Sequence, residues 1–144
     1  MVILVTTSRK PCQDTRSVAR LLARLIGGVY FSRGKASFDS VMQEAESAGT
    51  KRVLFIGESH GNVGSLGFWQ DAWLEPELLV KSTKFARGNM VSRVGKVVAE
   101  DEFGEKLKGL FEMGAGEGAT RMILNSRGIS FTQGAKLLLE FKLK

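Results

Sequence analysis

The stretch that decides the fold is LVTTSRKPCQDTRSVARLLARLI, from Leu4 to Ile26. It opens with a short apolar run, predicted to be a buried strand over residues 2–5, and passes through a polar turn into a helix. The helix is predicted by apolar residues at the i, i+3, i+4, i+7 spacing of a core-facing surface, namely Val18, Leu21, Leu22, Leu25 and Ile26. Gly27 and Gly28 are expected to end it.

The segments that follow continue the alternation of strands and helices. A short strand is predicted at VYF (29–31), and a second helix over residues 38–48 with Ser37 as its N-cap. RVLFIG (52–57) is apolar enough for a central strand, and the glycines of GESHGNVGSLG (57–67) predict a loop. The order β-α-β-α-β is typical of an α/β layer.

The remainder of the chain is predicted to follow a similar plan. Strands are expected at ELLVKSTKF, TRMILN, ISFTQ and AKLLLEFKLK, and a helix at EDEFGEKLKGLFEMG, whose first turn carries the acids that a helix dipole favours. Residues 85–99 are left unassigned. Because basic and acidic blocks also alternate along the chain, we predict a single domain, 1–144, made of two similar halves, approximately 1–75 and 76–144.

Positive charge is concentrated where the first strand passes into the first helix. The 144 residues carry a net charge of +6, which is compatible with a nucleic-acid partner. Arg9 and Lys10 occupy the turn, and Arg16, Arg20 and Arg24 form one stripe along the helix. Cations are disfavoured at a helix N-terminus, so this arrangement indicates an external anion such as a phosphate backbone, bound with help from hydroxyls and helix amides. The alternative is a solvated helix face whose arginine stems cover apolar surface.

Two further basic clusters follow the first. Arg33 and Lys35 lie in one turn. The other cluster comprises Lys81, Lys84, Arg87, Arg93 and Lys96. The predicted RNA-binding residues are Thr7, Ser8, Arg9, Lys10, Arg16, Arg20, Arg33, Lys35, Arg87, Arg93 and Lys96. Unpaired RNA bases stack on aromatic rings, for which Phe68, Trp69 and Trp73 are candidates, although such residues are more often part of a core or of a protein interface.

Four of these segments together resemble the Brix domain family. They are ILVTTSRKP at 3–11, TRS at 15–17, SRGKAS at 32–37 and GESHGN at 57–62, in an order and spacing similar to the compact archaeal branch. The resemblance implies an α/β fold of two similar halves, with mixed sheets flanked by helices, each half resembling the anticodon-binding domain of class IIa aminoacyl-tRNA synthetases. It also implies a role in ribosome biogenesis through binding of ribosomal RNA precursor. The sequence departs from the family pattern at Val63, where proline often follows GN, and at Cys12, where serine is usual.

Residues that commonly carry catalysis are sparse. Cys12 and His60 are the only cysteine and histidine; such a pair can form a thiol nucleophile with its base, but an incidental thiol is the expectation. GAGEG, at residues 114–118, has the glycines of a dinucleotide loop but lies between a predicted helix and a strand, the reverse of the required order. One cysteine and one histidine cannot build a usual zinc site. No enzyme activity, cofactor, metal or small-molecule substrate is predicted.

Composition and hydropathy predict a cytoplasmic protein without a membrane partner. A single cysteine fits a reducing compartment, the apolar run at the N-terminus is too short for a signal peptide, and no stretch approaches the ~20 apolar residues of a membrane span. The predicted partners are ribosomal RNA precursor together with ribosomal or assembly-factor proteins. The alternative function is a protein–protein adaptor in a ribonucleoprotein complex, whose charged blocks bind complementary partners with little RNA affinity.

Overall fold

The computed structural model describes residues 2–87, 91–114 and 116–144. In chain order the elements are β1 (Ile3–Thr7), α1 (Gln13–Ile26), β2 (Val29–Tyr30), α2 (Phe38–Ser47), β3 (Arg52–Ser59), β4 (Asn62–Trp69), β5 (Trp73–Phe85), β6 (Val94–Ala99), α3 (Glu102–Phe111), β7 (Thr120–Asn125), β8 (Gly128–Gln133) and β9 (Lys136–Leu143). The α/β class predicted from the sequence is confirmed. None of the helices in the described part is long and apolar enough to cross a membrane.

The strands of the described residues form one sheet, in the order β2-β1-β3-β4-β5-β9-β8-β7-β6. The pairs β1–β2, β1–β3 and β6–β7 are parallel, and the other pairs are antiparallel. Without β2, the order is symmetric about the β5–β9 pair, since each half supplies a β-α-β-β-β unit and the first half adds β2 and α2. The sequence predicts a mixed sheet for each half, whereas β5 and β9 join them in one continuous mixed sheet.

One apolar core joins α1, α3 and the inner face of this sheet. Leu22 of α1, Leu107 of α3 and Phe131 of β8 are fully buried in it. Phe68 of β4 packs edge-to-face on Phe111 of α3, with ring centroids 4.9 Å apart. Because strands from both ends of the order contribute to this inner core, the sheet curls around the two helices.

The outer face of the sheet carries α2 and a second, smaller core. Val41 and Ala45 of α2 pack there with Leu4, Val53 and Phe55. Successive side chains of a strand point to opposite faces, so the central apolar strands β1 and β3 contribute to both cores. This is why the sequence of these strands is continuously apolar rather than alternating.

The ends of α1 and α2 agree closely with those predicted from the sequence, whereas α3 is shorter at both ends than the predicted segment 100–114. Gly27 is the C-cap of α1 with a φ of 69°, in the left-handed region that glycine adopts without steric cost. Ser37 caps α2 by accepting a hydrogen bond from the N–H of Ser40 at 3.1 Å. Asp101 caps α3 by accepting one from Gly104 at 2.7 Å. Each cap pairs a main-chain group that the helix itself leaves unpaired.

The glycine-rich segment 57–67 is a hairpin, and the loop predicted for it is wrong. The strands β3 and β4 are joined by the two-residue turn His60–Gly61, whose φ values of 53° and 79° are those of a tight hairpin turn. Glycine inside β4 makes room for a neighbour, because a Cβ on Gly67 would lie 3.1 Å from the ring of Trp73. Glycine content alone therefore does not distinguish this hairpin from a loop.

Part of the unassigned segment 85–99 is the edge strand β6, which pairs with β7; residues 88–90 lie outside the described part. The GAGEG segment packs against the beginning of β6. A Cβ on Gly118 would overlap the carbonyl oxygen of Arg93, and one on Gly95 would overlap the backbone of Gly118. These glycines serve close backbone packing; residue 115, also within GAGEG, is not described.

Candidate nucleic-acid interface

The loop between β1 and α1 lies against the loop between β2 and α2. The N–H of Lys10 donates to the carbonyl of Gly34 at 2.7 Å, and the N–H of Ser8 donates to the carbonyl of Ile56 at 2.9 Å. The fold therefore brings the first two predicted basic clusters together, although they are separated in sequence by the whole of α1.

Arg33 fastens these two loops to each other. Its Nε donates to the carbonyl of Ala36 at 3.0 Å, and its Nη1 donates to the carbonyl of Thr7 at 3.1 Å. Its guanidinium also lies over the ring of Phe55, 5.6 Å from the centroid. Burial lowers the pKa of Arg33, and the positive charge of Arg9 lowers it further. Arg9 and Arg33 are thus close enough to repel each other.

We call Arg9, Lys10, Arg33 and Lys35 the basic turn surface. Arg9, Lys10 and Lys35 are exposed, as is Arg16 on the first turn of α1. Neither Arg16 nor any residue of the basic turn surface takes part in an ion pair among the described residues. Like charges held together without a carboxylate destabilise the isolated chain, and a bound polyanion would relieve that repulsion.

The N-terminus of α1, where the sequence indicates help from helix amides, is occupied by the protein itself. The carboxylate of Glu58 accepts a hydrogen bond from the backbone N–H of Cys12, the N-cap residue. Burial raises the pKa of Glu58, but hydrogen bonding with Thr15 and Cys12, the backbone amide of Cys12 among the donors, outweighs it, so this pKa lies below its usual value. The carboxylate already interacts with the helix dipole, so a phosphate at this end of the helix would meet a negative charge.

The arginine stripe of α1 faces a cleft that also contains Arg87. The cleft has a volume of about 240 Å³ and is lined by Ser17, Arg20, Leu21, Arg24, Phe85, Ala86 and Arg87. Arg20 lies over the ring of Tyr30 at 5.4 Å, and Arg87 lies over that of Phe85 at 4.8 Å. Arg87 also forms an ion pair with Asp14 at 2.6 Å, although both side chains are well exposed. The fold thus places Arg87, a member of the third predicted basic cluster, in the same cleft as Arg20 and Arg24 of α1.

Three of the predicted RNA-binding residues contribute no side chain to the basic turn surface or to the cleft beside α1. Thr7 is fully buried in β1, where its hydroxyl donates to a main-chain carbonyl, so it leaves the candidate set. Arg93 lies against Gly27, at the opposite end of α1. Lys96 is on the edge strand β6 and points to the outer face, because its neighbour Val97 packs on the inner core.

The three aromatic candidates divide between the two faces of the sheet. Phe68 is fully buried in the inner core, so no base can stack on it. Trp69 and Trp73 lie on the outer face beside Phe38, and 55% of Trp73 is exposed. Only Trp73 therefore presents a large aromatic surface to a partner.

The thiol of Cys12 is directed at neighbours other than His60. Its Sγ lies 3.3 Å from the Thr15 hydroxyl and donates to the carbonyl of Gly61 at 3.4 Å, whereas His60 is an exposed turn residue. Within residues 2–87, 91–114 and 116–144, no group of three or more histidine, cysteine and carboxylate side chains could hold a metal ion.

Sequence reasoning misses the role of Glu58. The only signal is indirect: Cys12 is a poor N-cap residue, so an acceptor for the first amides of α1 must come from elsewhere in the chain. Nothing in the spacing identifies a residue 46 positions later as that acceptor. The contact of Arg20 with the ring of Tyr30 likewise depends on the fold and has no signal in the sequence.

No family model matches the chain, but curated relatives do. It is 41% identical over 70 residues to a probable Brix domain-containing ribosomal biogenesis protein of Methanosarcina barkeri, a match that covers 49% of this chain and 43% of the relative. A protein of the same description from Methanothermobacter thermautotrophicus is 42% identical over 66 residues, with 46% and 40% covered. These two matches span about two fifths of the relatives' length. A third relative, from Methanococcus maripaludis, is 29% identical over 113 residues, with 76% and 66% covered.

Solved structures share the fold over nearly their whole length. The crystal structure of a probable ribosomal biogenesis protein from Aeropyrum pernix has a TM-score of 0.71 at 24% identity, and the superposition covers 99% of this chain and 94% of that one. That of Mil, an archaeal Imp4-like protein, has a TM-score of 0.75 at 23% identity, with 98% and 96% covered. The fold is therefore the mixed α/β fold of these two structures. Over about half of its length the chain is similar to archaeal proteins described as Brix domain-containing ribosomal biogenesis proteins, and the family resemblance predicted from the sequence is confirmed.

Proposed function

We propose that the chain is a non-catalytic RNA-binding protein that acts in ribosome biogenesis by binding ribosomal RNA precursor. The observation that carries the proposal is the basic turn surface, where Arg9, Lys10, Arg33 and Lys35 lie together without an ion-pair partner among the described residues. The process is supported by the curated relatives, which are named as ribosomal biogenesis proteins. Ribosomal or assembly-factor proteins are its further partners in this proposal.

In this proposal the RNA backbone follows α1 from the basic turn surface to the arginine cleft. The helix is roughly 20 Å long at 1.5 Å per residue, which is enough for several successive phosphates. Arg20 and Arg87 rest on aromatic rings, so their guanidinium groups lose little freedom when they contact a phosphate. The predicted likeness of each half to the class IIa anticodon-binding domain belongs to the same proposal.

The test is the salt dependence of binding to fragments of ribosomal RNA, measured by fluorescence anisotropy for the wild type and for Arg9→Ala/Lys10→Ala/Lys35→Ala. All three side chains are exposed, and Arg33 is kept because it fastens the two loops. The wild type should show log K falling linearly with log salt. Three lost phosphate contacts should make that slope shallower by about 2 for single-stranded RNA and should weaken binding at low salt by more than tenfold, on the order of 0.7 in slope per phosphate.

The matched control is Lys51→Ala/Lys106→Ala/Lys136→Ala, which removes the same charge from exposed positions outside the interface. It should keep most of the wild-type affinity and slope. If both triple variants lose binding equally, net charge alone drives it and the basic turn surface is not the site. If the wild type binds only weakly, the adaptor alternative is favoured instead.

A further inference from the structure

Two large apolar side chains are exposed on the outer face of β5. Trp73 is 55% exposed and Leu79 is 48% exposed. Leu78 is buried in the inner core, whereas Glu75 and Glu77, in the bulged part of the strand, are exposed. Trp73 pairs with Trp69 of β4 and Leu79 pairs with Ser65, so Trp73 and Leu79 are the ends of a strip roughly 13 Å long, at about 3.3 Å per residue of β4, with two carboxylates between them.

Trp73 is held rigidly on this face. Its ring packs edge-on against Phe55 and Trp69, with centroid distances of 5.4 and 5.2 Å, and lies 6.4 Å from that of Phe38. It also covers Gly67, as described above. An exposed indole that is already fixed loses little entropy when a partner covers it, and tryptophan is among the residues most enriched in interface hot spots.

A groove of about 440 Å³ adjoins this aromatic cluster, between the end of α2 and the turn that joins β4 to β5. Its lining combines the apolar side chains of Met42, Val53 and Trp69 with the carboxylates of Glu46 and Asp71. Apolar walls beside carboxylates suit a lysine or arginine, whose long stem is apolar and whose end is cationic.

Acidic side chains outnumber basic ones on this face. Six exposed acids lie on α2, on β5 or in the turn before β5: Asp39, Glu44, Glu46, Asp71, Glu75 and Glu77. None of them forms an ion pair with a described residue. Cations also lie nearby: Lys51 lines the groove and Arg33 stacks on Phe55. At the Leu79 end, Lys81 is exposed two residues further along β5, and the N–H of Lys144 donates to the carbonyl of Leu79 at 3.0 Å. Such a field repels a polyanion and attracts a cationic partner.

We infer that this acidic aromatic face, formed by Trp73, Glu75, Glu77, Leu79 and the groove beside Trp69, binds a protein segment rich in lysine or arginine that also carries apolar side chains. The apolar side chains cover Trp73 and Leu79, and the cations pair with the carboxylates between and beside them. This goes beyond the proposed RNA binding because it uses a different face and a partner of opposite charge. The chain would then hold RNA at the basic turn surface and a basic protein on the outer face.

The probe is a 14-residue amphipathic peptide of lysine, leucine and alanine. Binding is followed by the two indole N–H resonances of the protein, which has two tryptophans and in which Trp73→Phe assigns the signals. The resonance of Trp73 should shift on titration. Trp73→Thr/Leu79→Thr and Glu75→Lys/Glu77→Lys, followed by anisotropy of the labelled peptide, should each weaken binding by roughly tenfold or more. Glu75→Lys/Glu77→Lys changes exposed side chains that form no ion pair with a described residue. It therefore provides the test if Trp73→Thr/Leu79→Thr fails to fold.

Matched controls distinguish peptide binding at this face from nonspecific binding elsewhere on the protein. Val2→Thr/Val29→Thr changes two other exposed apolar residues, and Glu105→Lys/Glu117→Lys makes the same charge change elsewhere; both should bind the peptide as the wild type does. Peptides with glutamate for every lysine, or alanine for every leucine, should bind at least about tenfold more weakly.

Several outcomes overturn the inference. One is a Trp73 resonance that does not move at saturating peptide, and another is unchanged affinity in both face variants. Loss of RNA binding, rather than peptide binding, in Trp73→Thr/Leu79→Thr would assign the face to RNA. The Arg9→Ala/Lys10→Ala/Lys35→Ala variant should bind the peptide normally, so a failure of the RNA proposal and a failure of this one are distinguishable.

Discussion

The carboxylate of Glu58, in the β3–β4 hairpin, accepts a hydrogen bond from the backbone N–H of Cys12 and thereby caps α1 across 46 residues of sequence. The bond satisfies an amide that the helix leaves unpaired and fastens the beginning of α1 to the hairpin. The ion pairs among the described residues do not join Glu58 to the cations of the preceding loop, so these cations remain available to an external anion.

Glu58→Gln should lower the free energy of unfolding by about 1 kcal/mol at pH 7, the usual size of a helix-cap interaction. The pKa of Glu58 is below its usual value of 4.5 in the folded chain, so its contribution is complete above that value and is lost as pH falls through the folded pKa. Urea unfolding at pH 7 and below pH 4 should therefore show a difference that shrinks in acid. Glu77→Gln, at an exposed position of β5, should change nothing, and a pH-independent difference for Glu58→Gln would rule out the charged cap.

Substitution of Arg33 should lower the free energy of unfolding, whereas substitution of its neighbour Arg9 should leave it nearly unchanged. Arg33→Ala removes two hydrogen bonds to main-chain carbonyls and should destabilise the fold by about 1–2 kcal/mol. Arg9→Ala removes only a cation that repels Arg33, so stability should stay within about 0.5 kcal/mol of the wild type or rise slightly. Thermal and urea unfolding of the two variants measure this, and equal losses would show that Arg9 is also a structural residue.

The same pair shows how far sequence reasoning reaches. The turn residues and helix caps at Gly27 and Ser37 follow from local chemistry, so the sequence predicts both loops and the clustering of cations in each. Local chemistry does not reveal that Arg33 is bonded to the end of β1 while Arg9 is free, because that depends on how the two loops pack. The prediction of a loop at 57–67 is wrong for a related reason, because the glycines inside β4 make room for residues of neighbouring strands. A Cβ on Gly67 would press on the ring of Trp73 in β5, and one on Gly64 would overlap Ser59 of β3.

Asp14→Asn should strengthen RNA binding if the arginine cleft is part of the interface. Asp14 forms an ion pair with Arg87, and exposed pairs of this kind contribute up to about 1 kcal/mol, so releasing Arg87 should raise affinity by up to about fivefold. The substitution also removes an acid from the first turn of α1, which should cost a few tenths of a kcal/mol in stability. Anisotropy with the same RNA fragments measures the gain, and Asp39→Asn, in the first turn of α2, is the matched control. Unchanged or weaker binding would separate Arg87 from the interface.

Gly118→Ala and Gly114→Ala should differ sharply although both lie in the GAGEG segment. A Cβ on Gly118 would overlap the carbonyl oxygen of Arg93, a main-chain atom that cannot rotate away, whereas a Cβ on Gly114 meets nothing within 4 Å. Gly118→Ala should therefore destabilise the fold by about 1–3 kcal/mol, the cost of forced overpacking, and Gly114→Ala should be neutral or slightly stabilising because it restricts the unfolded chain. Urea unfolding of the two variants is the measurement. If the two variants were equally stable, the close packing of Gly118 against Arg93 would not contribute to stability, and the packing role that the structure gives this segment would be contradicted.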